Sequence, residues 1–152
     1  MIPRALPFAF NAWARRALNR EQWLTHVAVL LRPWFSRHDV EIPLRVRVGV
    51  GALARSARTL GVCYPQLDRA GFRHVTISPF IDDPVLVAAV LAHELIHAGL
   101  PPEVGHGPEF RAVARRLGFE GRLTEVTPGA AFRAELDRVL RRAGPYPHVA
   151  LG

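Results

Sequence analysis

A nearly unbroken apolar run, Val85-Leu86-Val87-Ala88-Ala89-Val90-Leu91-Ala92, leads straight into His93-Glu94-Leu95-Ile96-His97, and this junction constrains the chain more than any other feature in it. Asp82-Asp83-Pro84 supplies a side-chain N-cap followed by proline in the first turn, and Gly99 and Pro101-Pro102 stop the helix at the far end. The sequence therefore predicts a helix from Pro84 to Leu100. A helix that is apolar nearly all round has to lie inside the protein, covered by other elements. Two imidazoles and a carboxylate in its last two turns are costly to bury without partners. Residues four apart share a helix face, so His93 and His97 aim at one point, and a metal ion at that point removes the cost.

A third histidine follows closely, inside Gly105-His106-Gly107-Pro108-Glu109-Phe110. With His106 the chain offers three nitrogens, which leaves the fourth position of a tetrahedral ion open to water or substrate, as a catalytic rather than a structural zinc requires. Glu94, one residue round from His93, is placed to take a proton from water at the metal without being a ligand. The expectation is one catalytic Zn2+ held by His93, His97 and His106, with Glu94 as general base. Glu120 and Glu125 are alternative third ligands that no local pattern supports. The metzincin spacing is excluded, because Leu100 and Glu103 stand where that class needs glycine and histidine.

Length and composition bound the rest. A chain of 152 residues fits one domain burying roughly 70% of its unfolded surface, here read as 1–152 with its core at about 40–143 and a loose tail at 144–152. The single Cys63 excludes an intramolecular disulfide and reads as a small buried hydrophobe. With an apolar stretch at Met1 to Phe10 too short for a signal peptide, it points to a reducing, cytoplasmic compartment. The run from Val85 to Ala92 is too short to span a membrane. All twenty basic residues are arginine and the formal net charge is +7. Such a surplus suits a polyanion, DNA held without sequence preference being the expected one, although GC-biased codon usage produces the same composition. Protein substrates, no membrane contact and a monomeric state complete the expectation.

Around the central helix the pattern is α+β. Asn11 to Arg20 and Glu21 to Ser36 read as helical, with Trp13, Leu18, Trp23, Val27, Leu30, Leu31 and Trp34 as core contacts and Pro33 as a kink or stop. Pro43 to Val50 alternates as a half-buried strand, and Gly61 to Tyr64 and His74 to Ser78 read as two more, joined by a polar turn at Asp68-Arg69-Ala70-Gly71. A helix from Pro108 to Gly118 carries a stripe of Phe110, Val113, Ala114 and Leu117. A last helix opening at Thr127-Pro128 turns Phe132, Leu136, Val139, Leu140 and Ala143 inward, and Arg133, Arg138, Arg141 and Arg142 outward. Tyr64, His74 or an arginine near the cleft are candidates to stabilise an oxyanion, and a sheet edge there would align an extended, flexible substrate.

The pairing of His93-Glu94-Leu95-Ile96-His97-Ala98 with Gly105-His106-Gly107-Pro108-Glu109-Phe110 resembles the SprT-like metalloproteases, the group that includes bacterial SprT and eukaryotic Spartan. The likeness extends upstream to Leu60-Gly61-Val62-Cys63 and His74-Val75-Thr76-Ile77-Ser78 and covers roughly Pro43 to Leu117. It implies a minimal zincin-like core with N-terminal helices, a small three-stranded sheet, the HExxH helix and two C-terminal helices, acting as a zinc endopeptidase. It also implies, from the eukaryotic members, cleavage of proteins crosslinked to DNA. One cysteine cannot build the zinc ribbon common in the family, and the loop from His97 to His106 is shorter than in Spartan. That short loop is shared with the YgjP-like and WLM-type small metallopeptidases, the alternative within the same chemistry. A zinc-stabilised, non-catalytic DNA-associated module is the alternative outside it, and the presence of Glu94 argues against that.

Overall fold

Asn19 and Gln22 open the first described helix by capping each other. The Asn19 side chain accepts from the Gln22 backbone N–H at 2.8 Å, and the Gln22 side chain accepts from the Asn19 N–H at 2.9 Å, so two donors that a helix start leaves open are satisfied. The structure, a computed structural model, describes residues 18–51 and 58–152; the helical stretch expected from Asn11, with Trp13, falls largely outside them. Helix α1 spans Arg20–Arg37, and Pro33 lies within it, so of the expected kink or stop it is not a stop.

Three strands follow: β1 (Val46–Val50), β2 (Gly61–Leu67) and β3 (Arg73–Ile77). Their order is β1-β3-β2, with β1 parallel and β2 antiparallel to the central β3. Being central, β3 buries Val75 and Ile77 completely, whereas β2 is left as an edge. The first strand starts later than its alternation suggested: Leu44 precedes it and is 86% exposed. The turn between β2 and β3 forms where expected, with the Asp68 carboxylate accepting from the backbone N–H groups of Ala70 and Phe72.

Helix α2 (Pro84–Gly99) is capped by the Asp83 side chain, which accepts from the Leu86 N–H at 3.3 Å. Every residue from Val87 to Ile96 is buried, as an element apolar on all sides demands. The sheet covers one side of α2, and α1, α3 (Pro108–Leu117) and α4 (Ala130–Ala143) pack around the rest. Trp34 ties α1 to the end of α3 through its indole N–H, which donates to the Leu117 carbonyl at 2.9 Å. Between α3 and α4 runs a short hairpin, β4 (Phe119–Glu120) against β5 (Thr127–Pro128). Thr127 and Pro128 therefore belong to a strand and do not open the last helix, which starts after Gly129. Among the described residues no helix is long and apolar enough to cross a membrane.

One further expectation is corrected, and one residue that carried none proves buried. The segment after Gly144 is not loose. Tyr146 is buried against Trp23 with ring centroids 4.7 Å apart, Trp23 Nε1 donates to the Gly144 carbonyl at 3.0 Å, and His148 Nε2 donates to the Pro79 carbonyl at 2.8 Å. An aromatic body and a handful of backbone partners hold the end of the chain without any periodicity to announce it. On α4 the four outward arginines are exposed as expected, but Glu135 is buried among the apolar stripe and held by Arg138 through bonds of 2.9 and 2.6 Å. A bidentate guanidinium compensates a carboxylate that would otherwise be costly there.

Candidate metal centre

His93 and His97 project from the last two turns of α2, one turn apart on one face. His106 reaches them from the loop between a single 3-10 turn (Pro102–Val104) and α3. Gly105 makes that approach possible, because its φ of 51° with ψ of −134° is open to glycine and strained for other residues. Gly107 and Pro108 then start α3 at once, so His106 has little slack.

The three imidazoles converge through Nε2. His106 Nε2 lies 3.1 Å from His93 Nε2 and 3.1 Å from His97 Nε2, and the three nitrogens all lie within 4.8 Å of one another. Nitrogen ligands at 2.0–2.1 Å from a tetrahedral ion are separated by about 3.3 Å, so the spacing is close to that of a zinc site. Three histidines thus form a group able to hold a metal ion, and their nitrogen donors suit zinc among the common divalent ions. A match to the SprT-like family runs over residues 31–130, well over half of the chain. The chain belongs to the SprT-like family. No curated protein and no solved structure matches it.

In this SprT-like domain the histidines sit at different depths: His93 is 6% exposed, His97 half-buried and His106 exposed. The group thus runs from the floor of a cleft to its mouth. Burial pushes the His93 pKa down to about 3, helped by the proximity of His97 and His106, and pushes that of His97 down to about 4, helped by His106. Burial also lowers His106. All three therefore keep the neutral form whose lone pair binds a metal.

Phe110, fully buried in the first turn of α3, braces the set. Its ring centroid lies 5.0 Å from that of His93, 4.3 Å from His97 in a stacked arrangement, and 5.0 Å from His106 in an edge-on one. Sequence reasoning placed Phe110 in a core stripe but not against the imidazoles, since contact across elements is not encoded in period.

Glu94 is 6% exposed and faces β2. Burial raises its pKa to about 7, against a lowering contribution from a hydrogen bond donated by the Cys63 backbone N–H. Glu94 and the three histidines share a cleft of about 770 Å³ whose walls include Gly61, Val62 and Cys63 of β2, Arg73 of β3 and the Thr124–Thr127 stretch before and within β5. Cys63 is half-buried and lines this cleft, so it is not the core hydrophobe expected. Burial pushes its thiol up to about 11, against a lowering effect of Arg73, which keeps it protonated and unreactive.

The alternatives separate cleanly. Glu120 folds its carboxylate over Gly129 and Glu125 lines the cleft, but neither joins the histidine group. Tyr64 and His74 do not line the cleft; His74 Nε2 is 2.8 Å from the Asp68 carboxylate. Among arginines, Arg58 and Arg73 line the cleft, the latter with Nη1 donating to the Tyr64 and Pro65 carbonyls at 3.3 and 2.6 Å.

Proposed function

We propose that the chain is a zinc-dependent metalloendopeptidase that hydrolyses peptide bonds in flexible protein segments, those of DNA-associated proteins included. The observation that carries this reading is a three-nitrogen donor set with Glu94 beside it at the floor of an open cleft. The family is generally associated with metalloprotease activity, and a purely structural metal site would have no use for Glu94.

His93, His97 and His106 would hold a divalent ion, which when bound would supply Lewis acidity to a carbonyl and to water. Glu94 takes a proton from the attacking water on a carboxylate oxygen. Burial, which raises the Glu94 pKa in the metal-free protein, strengthens it as a base, so it can hold the proton and then hand it to the departing amine as the C–N bond breaks. Strand β2, an edge of the sheet along one cleft wall, offers an extended substrate a backbone to pair with. A folded target cannot supply such a strand, which is why flexible segments are favoured.

The test combines zinc stoichiometry by elemental analysis with cleavage of an unfolded, basic protein by the parent and by Glu94→Gln. One zinc per chain is expected in both, with cleavage by the variant slower by about 10²- to 10⁴-fold, because the amide keeps the shape but cannot take the proton. Loss of zinc from Glu94→Gln, or unchanged cleavage, would overturn the reading. Single-stranded DNA added at two salt concentrations tests the polyanion part, since contact through exposed arginines such as Arg141 and Arg142 releases counterions and must weaken steeply with salt. No binding at low salt leaves a general peptidase.

A further inference from the structure

Strand β2 and helix α2 approach each other at one point where only the absence of a side chain allows it. A Cβ placed on Gly61 would lie 2.7 Å from Val90 Cγ1, 2.9 Å from Glu94 Cγ and 3.0 Å from Glu94 Oε1. Such distances are below contact, so an added methyl forces something to move. Val90 has little room to do so: it is 1% exposed in the core, and a β-branched side chain in a helix is held to essentially one rotamer. Glu94, with a longer unbranched chain facing the cleft, is the group that gives. Two residues along the same strand edge, the Cys63 backbone N–H donates to the Glu94 carboxylate.

We propose that Gly61 is a positioning residue: its bare backbone and the Cys63 N–H together form the cradle that fixes the Glu94 carboxylate, so β2 aims the general base as well as lining the substrate cleft. The inference rests on the peptidase reading for Glu94. Neither Gly61 nor the Cys63 N–H belongs to the metal-donor group, so the cradle governs where the proton acceptor sits and not whether a metal binds. A methyl at Gly61 shifts the carboxylate by a fraction of an ångström to an ångström and lengthens its bond to Cys63. Misplacement on that scale slows a reaction by up to about a hundredfold.

The experiment compares the zinc-loaded 152-residue parent with Gly61→Ala, Glu94→Gln and Gly49→Ala. Gly49, on the neighbouring β1, has nothing within 4 Å of an added Cβ and serves as the control for placing alanine in this sheet. In Gly61→Ala, kcat should fall by about 10- to 100-fold with KM and zinc content retained, while Gly49→Ala keeps the parental kcat. The Cys63 amide resonance in a ¹H–¹⁵N spectrum gives a readout apart from turnover: its displacement in Glu94→Gln, where a neutral amide oxygen replaces the charged acceptor, marks a weakened bond, and Gly61→Ala should move it in the same direction. Adding Val90→Ala to Gly61→Ala removes the nearest obstructing atom and should restore part of the lost kcat; it also covers the case in which Gly61→Ala alone folds poorly. Parental kcat in Gly61→Ala, an unmoved Cys63 amide, or loss of zinc along with activity would each overturn the proposal. A parent that binds zinc and cleaves nothing would instead sink the peptidase reading, and the Cys63 amide would still decide whether the cradle exists.

Discussion

Phe110→Leu separates what the buried ring does for the fold from what it does for the metal. Phe110 is fully buried, so its complete truncation to alanine would cost about 3–5 kcal/mol, enough to unfold many domains and obscure any local effect. Leucine keeps most of the volume and should cost only about 1–1.5 kcal/mol in packing. What leucine cannot keep is a flat face 4.3 Å from the His97 ring and an edge-on partner for His106. Groups that orient metal ligands typically account for about 10- to 100-fold in affinity. A tenfold weaker site lowers the stabilisation that excess zinc confers by about 1.4 kcal/mol. Urea unfolding of parent and variant, each with a fixed excess of free zinc and again with chelator, reads both quantities. The chelated pair should differ by the packing cost alone, and the zinc-loaded pair by roughly twice as much. An equal difference under both conditions would show that the ring only fills space.

The zinc-stripped protein should gain stability as pH rises from about 4 to 6.5. His93 and His97, lowered to about 3 and 4, stay neutral in the fold over that range but take up protons when unfolded, while Glu94, raised to about 7, acts in the opposite sense as one group against two. Urea midpoints across the range check this, and a flat or falling profile contradicts it. Tyr146→Phe should leave stability unchanged or raise it by up to about 1 kcal/mol, because the buried hydroxyl has no hydrogen-bond partner among the described residues. Tyr146→Ala should cost about 2–4 kcal/mol by emptying the space against Trp23. If the two changes cost the same in thermal melts, the hydroxyl has a partner and the account of the packed chain end fails.

The metal helix was legible because three independent local signals agreed: the cap at Asp83, the all-apolar run, and the stop at Gly99. The same holds for α3, where Pro108 and Gly118 bracket the helix. Legibility failed where a residue's role depends on what lies across from it. Thr127-Pro128 looks like a helix start until Phe119-Glu120 pairs with it, and nothing near Tyr146 signals that Trp23 is waiting for it. Glu135 lies beside an apolar stripe with no local sign that it is buried, and its burial is made tolerable by the fork of Arg138 together with Arg37, 3.8 Å away. Gly61 carried no visible signal either, since a glycine in a short strand is ordinary until a helix packs against it.

The apolar character that gave α2 away also accounts for the chemistry of its polar residues. Placing His93, His97 and Glu94 on the most buried helix removes water from all three, and desolvation disfavours the charged form of each. For the imidazoles that means neutrality, hence free lone pairs, at any pH above about 4. For the carboxylate it means a proton affinity matched to neutral pH rather than to acid. On an exposed helix the same motif would present histidines partly protonated below pH 6.5 and a glutamate that holds no proton near neutral pH. His106, exposed at the cleft mouth, keeps the histidine group open to solvent while His93 and Glu94 stay buried. A polar residue introduced on the covered side of α2, such as Val87→Asn, should therefore weaken both the fold and the tuning, even though it lies far along the helix from every ligand.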